Sequence, residues 1–126
     1  MDKQVSAGLK TTFLIHAIVG TLFGLAYLFI PKKFGSLVNW PVTEPEAYRI
    51  LGAAILGFAA SSWFAFSASA WEQVKIVVQM EIVWTILGTL VLLYGIFFAG
   101  LPGFAWVTAI ILAVFAVLFI VFYSRG

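Results

Sequence analysis

The sequence predicts an all-α membrane protein: an antiparallel bundle of four transmembrane helices, with an interfacial segment between the first and second helices. Three observations indicate this fold class. Apolar residues make up 63% of the chain and charged residues only 10%, whereas soluble domains are roughly half apolar and a quarter charged. The apolar residues fall into four long runs. These runs are continuous, while the strands of a membrane barrel would alternate over about 10 residues.

Each apolar run is long enough to cross a bilayer, because a hydrocarbon layer roughly 30 Å thick needs about 20 residues of helix. The runs lie at 13–30, 50–70, 76–99 and 103–123. With their flanking residues they predict helices over 11–30, 44–70, 72–99 and 103–124. The chain is expected to form a single integral membrane domain over residues 1–126.

Helix one carries His16, Gly20 and Gly24 along one stripe. Helices in lipid associate through close backbone approach at small residues and through buried polar contacts, so we expect this stripe to face another helix. A cleavable signal peptide is the alternative for this run, because residues 24–26 resemble a cleavage site. We favour a retained helix, since the apolar stretch continues unbroken to Ile30.

The first connection, residues 31–42, is the only one long enough for a structure of its own. Lys32 and Lys33 suit lipid phosphates, and Trp40 suits the apolar boundary beneath them. This composition predicts a segment that lies along the membrane surface. Arg49 follows early in helix two, where its long side chain reaches the headgroups.

Helix two begins at a predicted capping box, with Thr43 as the cap and Glu46 closing the box. Small residues then recur at every fourth position: Ala53, Gly57, Ser61, Ala65 and Ser69. We expect this ladder to face the bundle core, because serine hydroxyls gain from protein neighbours and nothing from lipid. The alternative is that the ladder forms a contact between two copies of the chain.

The last two connections are short, so neighbouring helices are expected to run antiparallel as tight hairpins. Ser69 and Glu72 have the spacing of a capping box at the start of helix three. Both termini then share one side, whose basic residues are Lys3, Lys10, Lys75 and Arg125. Only three basic residues face the other side, so the positive-inside rule predicts cytoplasmic termini in the cell membrane. A balance this even also permits insertion in both orientations.

Two ionisable residues fall within the spans, and such residues usually face the bundle interior with a partner. Counting from the helix starts at about 1.5 Å per residue puts His16 and Glu81 at similar depth, so we predict that they meet. A carboxylate beside an imidazole favours the imidazolium, and the pair can exchange a proton as helices shift. The alternatives are structural: Glu81 in the headgroup layer beside Lys75, and His16 bonded to a helix carbonyl or a serine.

Several classes of site are excluded by what the sequence lacks. It has no cysteine and one histidine, so a single chain cannot supply a Cys/His zinc site, an iron–sulfur cluster or a bis-histidine haem. We therefore expect no metal and no cofactor. The basic residues are scattered, which excludes a nucleic-acid partner. The sequence contains no nucleophile with a base, no paired carboxylates and no phosphate loop, so no catalytic residue is predicted and an enzyme is not expected.

One resemblance to a known family rests on residues of the first two helices and their connection. These residues are Pro31, Phe34, Tyr48-Arg49-Ile50-Leu51-Gly52-Ala53 and Ser62-Trp63. They resemble small prokaryotic membrane proteins of DoxX-like, four-helix type, which implies a subunit or scaffold role, in some members within quinone-linked oxidoreductase complexes. Small multidrug transporters fit less well, because they have a glutamate at the centre of helix one. Small fluoride channels rely on buried asparagine, and Asn39 here lies in a loop.

Three functions remain open from the sequence. The first is a structural or accessory subunit that presents its outer faces to lipid, to a membrane-protein partner or to a second copy of the chain. The second is a dimeric proton-coupled transporter or channel that uses His16 and Glu81. The third is a lipophile-binding protein, in which the deep-lying Trp63 and Trp84 line a groove for a quinone or a lipid rather than simply filling space.

Overall fold

The computed structural model describes residues 3–126, and these residues form an all-α bundle of five helices. The helices are α1 (Ala7–Phe29), α2 (Pro31–Leu37), α3 (Pro45–Ser67), α4 (Trp71–Phe98) and α5 (Phe104–Arg125). All except α2 are long and apolar enough to cross a membrane. The predicted fold class is therefore confirmed, and the chain is a multi-pass membrane protein.

The helix starts differ from the predicted capping pattern. α1 begins earlier than expected, because the Ser6 side chain accepts a hydrogen bond from the Leu9 amide. The predicted capping box at Thr43 was wrong, since α3 begins after Glu44 with no side-chain cap. At α4 the cap position is Ala70, and its backbone amide donates a hydrogen bond to the Gln73 side chain. The predicted pairing of Ser69 with Glu72 does not form the cap.

α2 forms the predicted segment between the first two spans. Pro31 occupies its first turn, where the missing amide costs nothing. Lys32 and Lys33 are exposed, while the Phe34 ring turns inward and packs edge-on against Tyr27 of α1. The short helix thus covers the end of α1 with one face and leaves both ammonium groups free to reach lipid headgroups.

Each long helix packs mainly against its neighbour in sequence, so the bundle consists of two helix pairs, α1 with α3 and α4 with α5. Contacts between the two pairs are sparser. In the first pair the backbones come very close. A Cβ on Gly52 would lie 2.6 Å from the Leu28 nitrogen, and one on Gly24 would lie 3.2 Å from the Gly52 carbonyl oxygen. Gly20 similarly faces Ala59, so the glycine stripe of α1 packs against α3.

The small-residue ladder of α3 was predicted to face the bundle core, but most of it does not. Ala53, Gly57 and Ser69 are exposed, and a Cβ on Gly57 would meet no atom within 4 Å. Of the ladder, Ala65 is buried and Ser61 is half-buried. The buried face of α3 is instead formed by Gly52, Ala59, Ser62 and Ala65. The prediction failed because a four-residue repeat drifts around a helix that turns every 3.6 residues.

The end of the bundle that holds both termini is densely packed. Its core includes Leu9, Phe13, Val74, Val78 and Phe119, each at most 2% exposed. The segment before α1 pairs with the turn between α3 and α4, where the Val5 amide donates to the Ser69 carbonyl and the Trp71 amide to the Lys3 carbonyl. We call this half of the bundle the terminal half, and the half beside α2 the α2 half.

Candidate functional site

A buried cluster of three polar side chains joins the two helix pairs. His16 Nε2 lies 2.9 Å from Glu81 Oε2, and His16 Nδ1 lies 2.7 Å from Ser62 Oγ. His16 is 5% exposed, and Glu81 and Ser62 are fully buried. The structure thus brings together the two residues proposed as an intramembrane pair and adds a serine that links them to α3.

Helix register explains why these residues meet. His16 lies nine residues after the start of α1 and Glu81 ten residues after the start of α4, so each is about 14 or 15 Å along its helix from the terminal end. Ser62 lies near the end of α3, which runs antiparallel to α1, and therefore reaches the same level. Glu81 is enclosed at this depth, and Lys75 makes no salt bridge with it among residues 3–126.

Aromatic rings shield the cluster on the α5 side. The rings of Phe115 and Phe119 contact the His16 imidazole edge-on, with centroid distances of 4.8 and 5.7 Å. On α4, the Thr85 hydroxyl donates to the Glu81 main-chain carbonyl at 2.6 Å. These neighbours limit the access of water, so the cluster's charges interact in surroundings of low dielectric constant.

The two contacts of the His16 ring differ in kind. Nδ1 forms a hydrogen bond with the Ser62 hydroxyl, and its direction depends on which ring nitrogen carries the proton. Nε2 lies 2.9 Å from Glu81 Oε2, but that oxygen has no aligned hydrogen-bond donor among residues 3–126.

Both ring nitrogens of His16 face a polar group, Nε2 the Glu81 carboxylate and Nδ1 the Ser62 hydroxyl. Ser61 lies at the edge of this network. Its hydroxyl is 3.5 Å from Glu81 Oε1 but only 2.7 Å from the Phe58 carbonyl, which is therefore its main acceptor.

An apolar cleft begins beside His16 and widens toward the α2 half. It consists of two adjoining cavities of about 70 and 480 Å³ between the helix pairs. The smaller cavity touches the His16 side chain, and the larger one extends to Trp40 and Tyr48 near α2. The cavities share a wall formed by Tyr27, Ile55, Trp84, Thr108 and Leu112. We refer to the two cavities together as the cleft.

The two deep tryptophans have different roles. Trp84 lines both cavities of the cleft and stacks at a tilt against Phe58, with ring centroids 4.8 Å apart. Its indole nitrogen is buried and has no hydrogen-bond partner among residues 3–126. Trp63 is 40% exposed and donates to Thr21 Oγ1 at 3.0 Å across the α1–α3 contact. The predicted groove between the two tryptophans is therefore lined by Trp84 and not by Trp63.

The predicted interfacial residues lie apart from the cluster. Lys32 and Lys33 are on the exposed face of α2, and Trp40 lies at the mouth of the cleft. Arg49 forms a salt bridge with Glu46 one turn earlier on α3, and both side chains are solvent-exposed. These residues bound the α2 half of the molecule but do not approach His16.

A serine partner for His16 was one of the predicted alternatives, and the structure shows that this serine is Ser62. The participation of Thr85, Phe115 and Phe119 in the site was not predicted. Phe115 and Phe119 could not have been identified from the sequence, because nothing distinguishes them from the other phenylalanines in a chain that contains 13. Within residues 3–126, no group of three or more histidine, cysteine, aspartate or glutamate residues is placed to hold a metal ion.

Comparison with protein-family models, with curated proteins and with solved structures finds no match to this chain. The resemblance to DoxX-like proteins therefore stays a prediction.

Proposed function

We propose that this membrane protein binds a lipophilic molecule in the cleft between its helix pairs. The observation that carries the proposal is the cleft itself, whose larger cavity of about 480 Å³ leads to the buried cluster of His16, Ser62 and Glu81. Ligand sites are typically concave and mostly apolar, with a volume of about 300–1,000 Å³ and a few convergent polar groups. The cleft has this size and this composition.

The chemistry of the walls favours a lipophile over a polar solute. Neither cavity is lined by lysine, arginine, aspartate or glutamate. The rings of Tyr27, Tyr48 and Trp84 supply flat surfaces, and most of the remaining lining is aliphatic or aromatic. A hydrated solute would lose its water here without gaining comparable hydrogen bonds.

Entry from the lipid is favoured by the position of the cleft. α3 and α4 make few contacts with each other, and the lining residues Leu51 and Val91 of these helices are 40% and 68% exposed. A molecule dissolved in the bilayer can therefore reach the cleft sideways between α3 and α4. Trp40, in the turn after α2, also lines the larger cavity at this end.

The proposal is tested by photolabelling with pentadecane that carries a diazirine, using the full chain in lipid nanodiscs. We expect saturable labelling of peptides that line the cleft, reduced by excess unlabelled pentadecane. Leu51→Trp places a large ring on the cleft wall and is expected to lower this labelling at least about tenfold, since the ring excludes the probe sterically.

Ile50→Trp is the matched control, because Ile50 is adjacent in sequence but 73% exposed on the lipid-facing surface. It should leave the labelling unchanged. Labelling that is unsaturable and equal on the cleft and the lipid face would contradict the proposal. Purification with a stoichiometric protein that covers the cleft would favour the alternative role of an accessory subunit.

Proton-coupled transport is a second candidate, supported by the contact between His16 and Glu81. This function needs a buried group that exchanges a proton, and the cluster has the hydrogen-bond partners to do so. In reconstituted liposomes it requires a proton flux that Glu81→Gln and His16→Ala abolish. A wild-type chain without flux under any imposed gradient would eliminate this candidate and leave ligand binding unaffected.

A further inference from the structure

We infer that the ligand of the cleft is a single-chain lipid, bound with the end of an unbranched hydrocarbon tail in the smaller cavity beside His16 and with its polar end toward Trp40. This inference rests on the proposed function, because it names the class of lipophile that the cleft binds and the direction in which it lies. Three features of the cleft support it: its length along the helices, the size of its inner end and the position of its polar side chains.

The two cavities follow one another along the helices. On α3 the lining residues extend from Ala47, in the first turn, to Phe58, eleven residues later. On α1 they extend over the same number of residues, from Tyr27 to His16. At the rise of an α-helix, each of these spans is roughly 16 Å long. The cleft is therefore elongated along the bundle, which suits an extended hydrocarbon chain.

The inner end of the cleft is too small for a ring. The smaller cavity has a volume of about 70 Å³, whereas an apolar cavity that binds benzene has a volume of about 150 Å³. Phe23, Ile111 and Phe115 form part of its wall. A ring does not enter this space, but the last few methylene groups of a straight chain do. The lipid therefore has an unbranched tail at the end that lies beside His16.

Polar side chains are distributed unevenly along the cleft. Of the described residues that line only the smaller cavity, His16 alone has a polar side chain, and its ring nitrogens face Glu81 and Ser62. Trp40 and Tyr48 line only the larger cavity. A polar group at the inner end would lose its water beside a histidine whose partners are already in place. The polar end of the ligand therefore lies in the α2 half, where the headgroups of the bilayer are closest.

The orientation is tested with two photoreactive forms of pentadecan-1-ol, using the full chain in lipid nanodiscs. The tail-end probe carries a diazirine beside the terminal methyl group, and the hydroxyl-end probe carries it beside the hydroxyl group. We expect the tail-end probe to label Val19 and Ile111, and the hydroxyl-end probe to label Trp40 and Ala47. Excess unlabelled pentadecan-1-ol should suppress both.

The outcomes separate this inference from the proposed function. Labelling of the same residues by both probes, or the reversed pattern, would overturn the inference and leave the proposed function standing. Saturable labelling by photoreactive pentadecane but by neither alcohol would do the same. Absence of saturable labelling by all three probes would overturn the proposed function itself.

Ile111→Phe enlarges a side chain that lines only the smaller cavity and should exclude the tail from it. We expect labelling of Val19 by the tail-end probe to fall at least about tenfold and to move to Leu51 and Leu92 of the larger cavity. Ile110→Phe is the matched control, because Ile110 is 58% exposed and lines neither cavity. It should leave the labelling of Val19 unchanged. Unchanged labelling in Ile111→Phe would contradict the inference, and if that variant does not fold, the wild-type pattern decides the question.

The size limit of the inner end is tested by competition against the tail-end probe. An alcohol of the same length whose tail ends in a phenyl ring should compete at least about tenfold more weakly than pentadecan-1-ol, because the ring overfills the smaller cavity. Equal competition by the two alcohols would overturn the requirement for an unbranched tail.

Discussion

The two halves of this bundle are built from the same four helices but pack differently. In the terminal half, Phe13, Val74 and Phe119 fill the space between the helix pairs and are fully buried. In the α2 half the pairs separate, and about 480 Å³ of cavity lies between them. The cleft thus opens between the pairs and not within them, because Gly24 and Gly52 still hold α1 against α3 at that end.

The buried cluster lies at the boundary between the terminal half and the α2 half. On its terminal side the apolar core is continuous to the termini, and on its α2 side the smaller cavity begins at the His16 side chain. His16, Ser62 and Glu81 come from three helices and both pairs, so the contact between His16 and Glu81 connects the pairs at the level where apolar packing between them ends. Four predictions test this division, in order of decreasing expected effect.

The largest effect is expected from breaking the cluster. Glu81→Ala leaves the His16 imidazole buried without its partner, and removing one member of a buried pair costs about 3–5 kcal/mol. Unfolding in mixed micelles measures this loss in the free energy of unfolding. The double variant His16→Ala/Glu81→Ala should recover part of it. Strictly additive losses would show that the two side chains do not interact.

Glu46→Ala is the control for the first prediction. It removes the carboxylate of the exposed pair with Arg49 and should leave the free energy of unfolding nearly unchanged, because exposed ion pairs contribute little.

The second prediction compares one phenylalanine from each half. Phe13→Ala empties a site of 0% exposure in the terminal half and should cost about 3 kcal/mol, chiefly through the cavity it creates. Phe58→Ala removes a ring from the cleft wall beside Trp84 and should cost only about 1 kcal/mol, since its site already adjoins open space. Equal losses in the same unfolding assay would mean that both halves are equally well packed.

The third prediction tests whether α1 and α3 stay in contact at the α2 end. Gly52→Ala places a methyl group 2.6 Å from the Leu28 nitrogen and 2.8 Å from the Gly24 carbonyl oxygen, so the backbones must separate. Overpacking of this kind costs about 2 kcal/mol. Gly57→Ala on the same helix meets nothing within 4 Å and should be neutral or slightly stabilising. A neutral Gly52→Ala variant would show that the pair is loose at this end.

The smallest effect is expected in the turn after α2. Asn39 has a φ of 56°, in the left-handed region that asparagine and glycine tolerate better than other residues. Asn39→Ala should therefore lower stability by about 1 kcal/mol, and Asn39→Gly should not. Thermal unfolding of the two variants separates the effect of backbone conformation from the loss of the amide. If Asn39→Ala and Asn39→Gly destabilise the protein equally, the loss of stability comes from removal of the amide side chain and not from the backbone conformation.

The sequence by itself predicted the bilayer environment, the four spans and the similar depth of His16 and Glu81 along their helices. These features follow from composition, run length and the fixed rise of a helix, which do not depend on how helices pack. It also predicted that the Gly20 and Gly24 stripe faces a helix, since close approach requires small residues wherever it occurs.

Only the tertiary structure decided which side of each helix faces which neighbour. The ladder of α3 was wrongly placed in the core, and Ser62, one position from the ladder's Ser61, is the residue that bonds His16. In an apolar chain the inward and lipid-facing surfaces have nearly the same hydrophobicity, so periodicity does not distinguish them. The cleft likewise depends on the separation of two helix pairs, which is set by contacts summed over all helices and not by any local pattern.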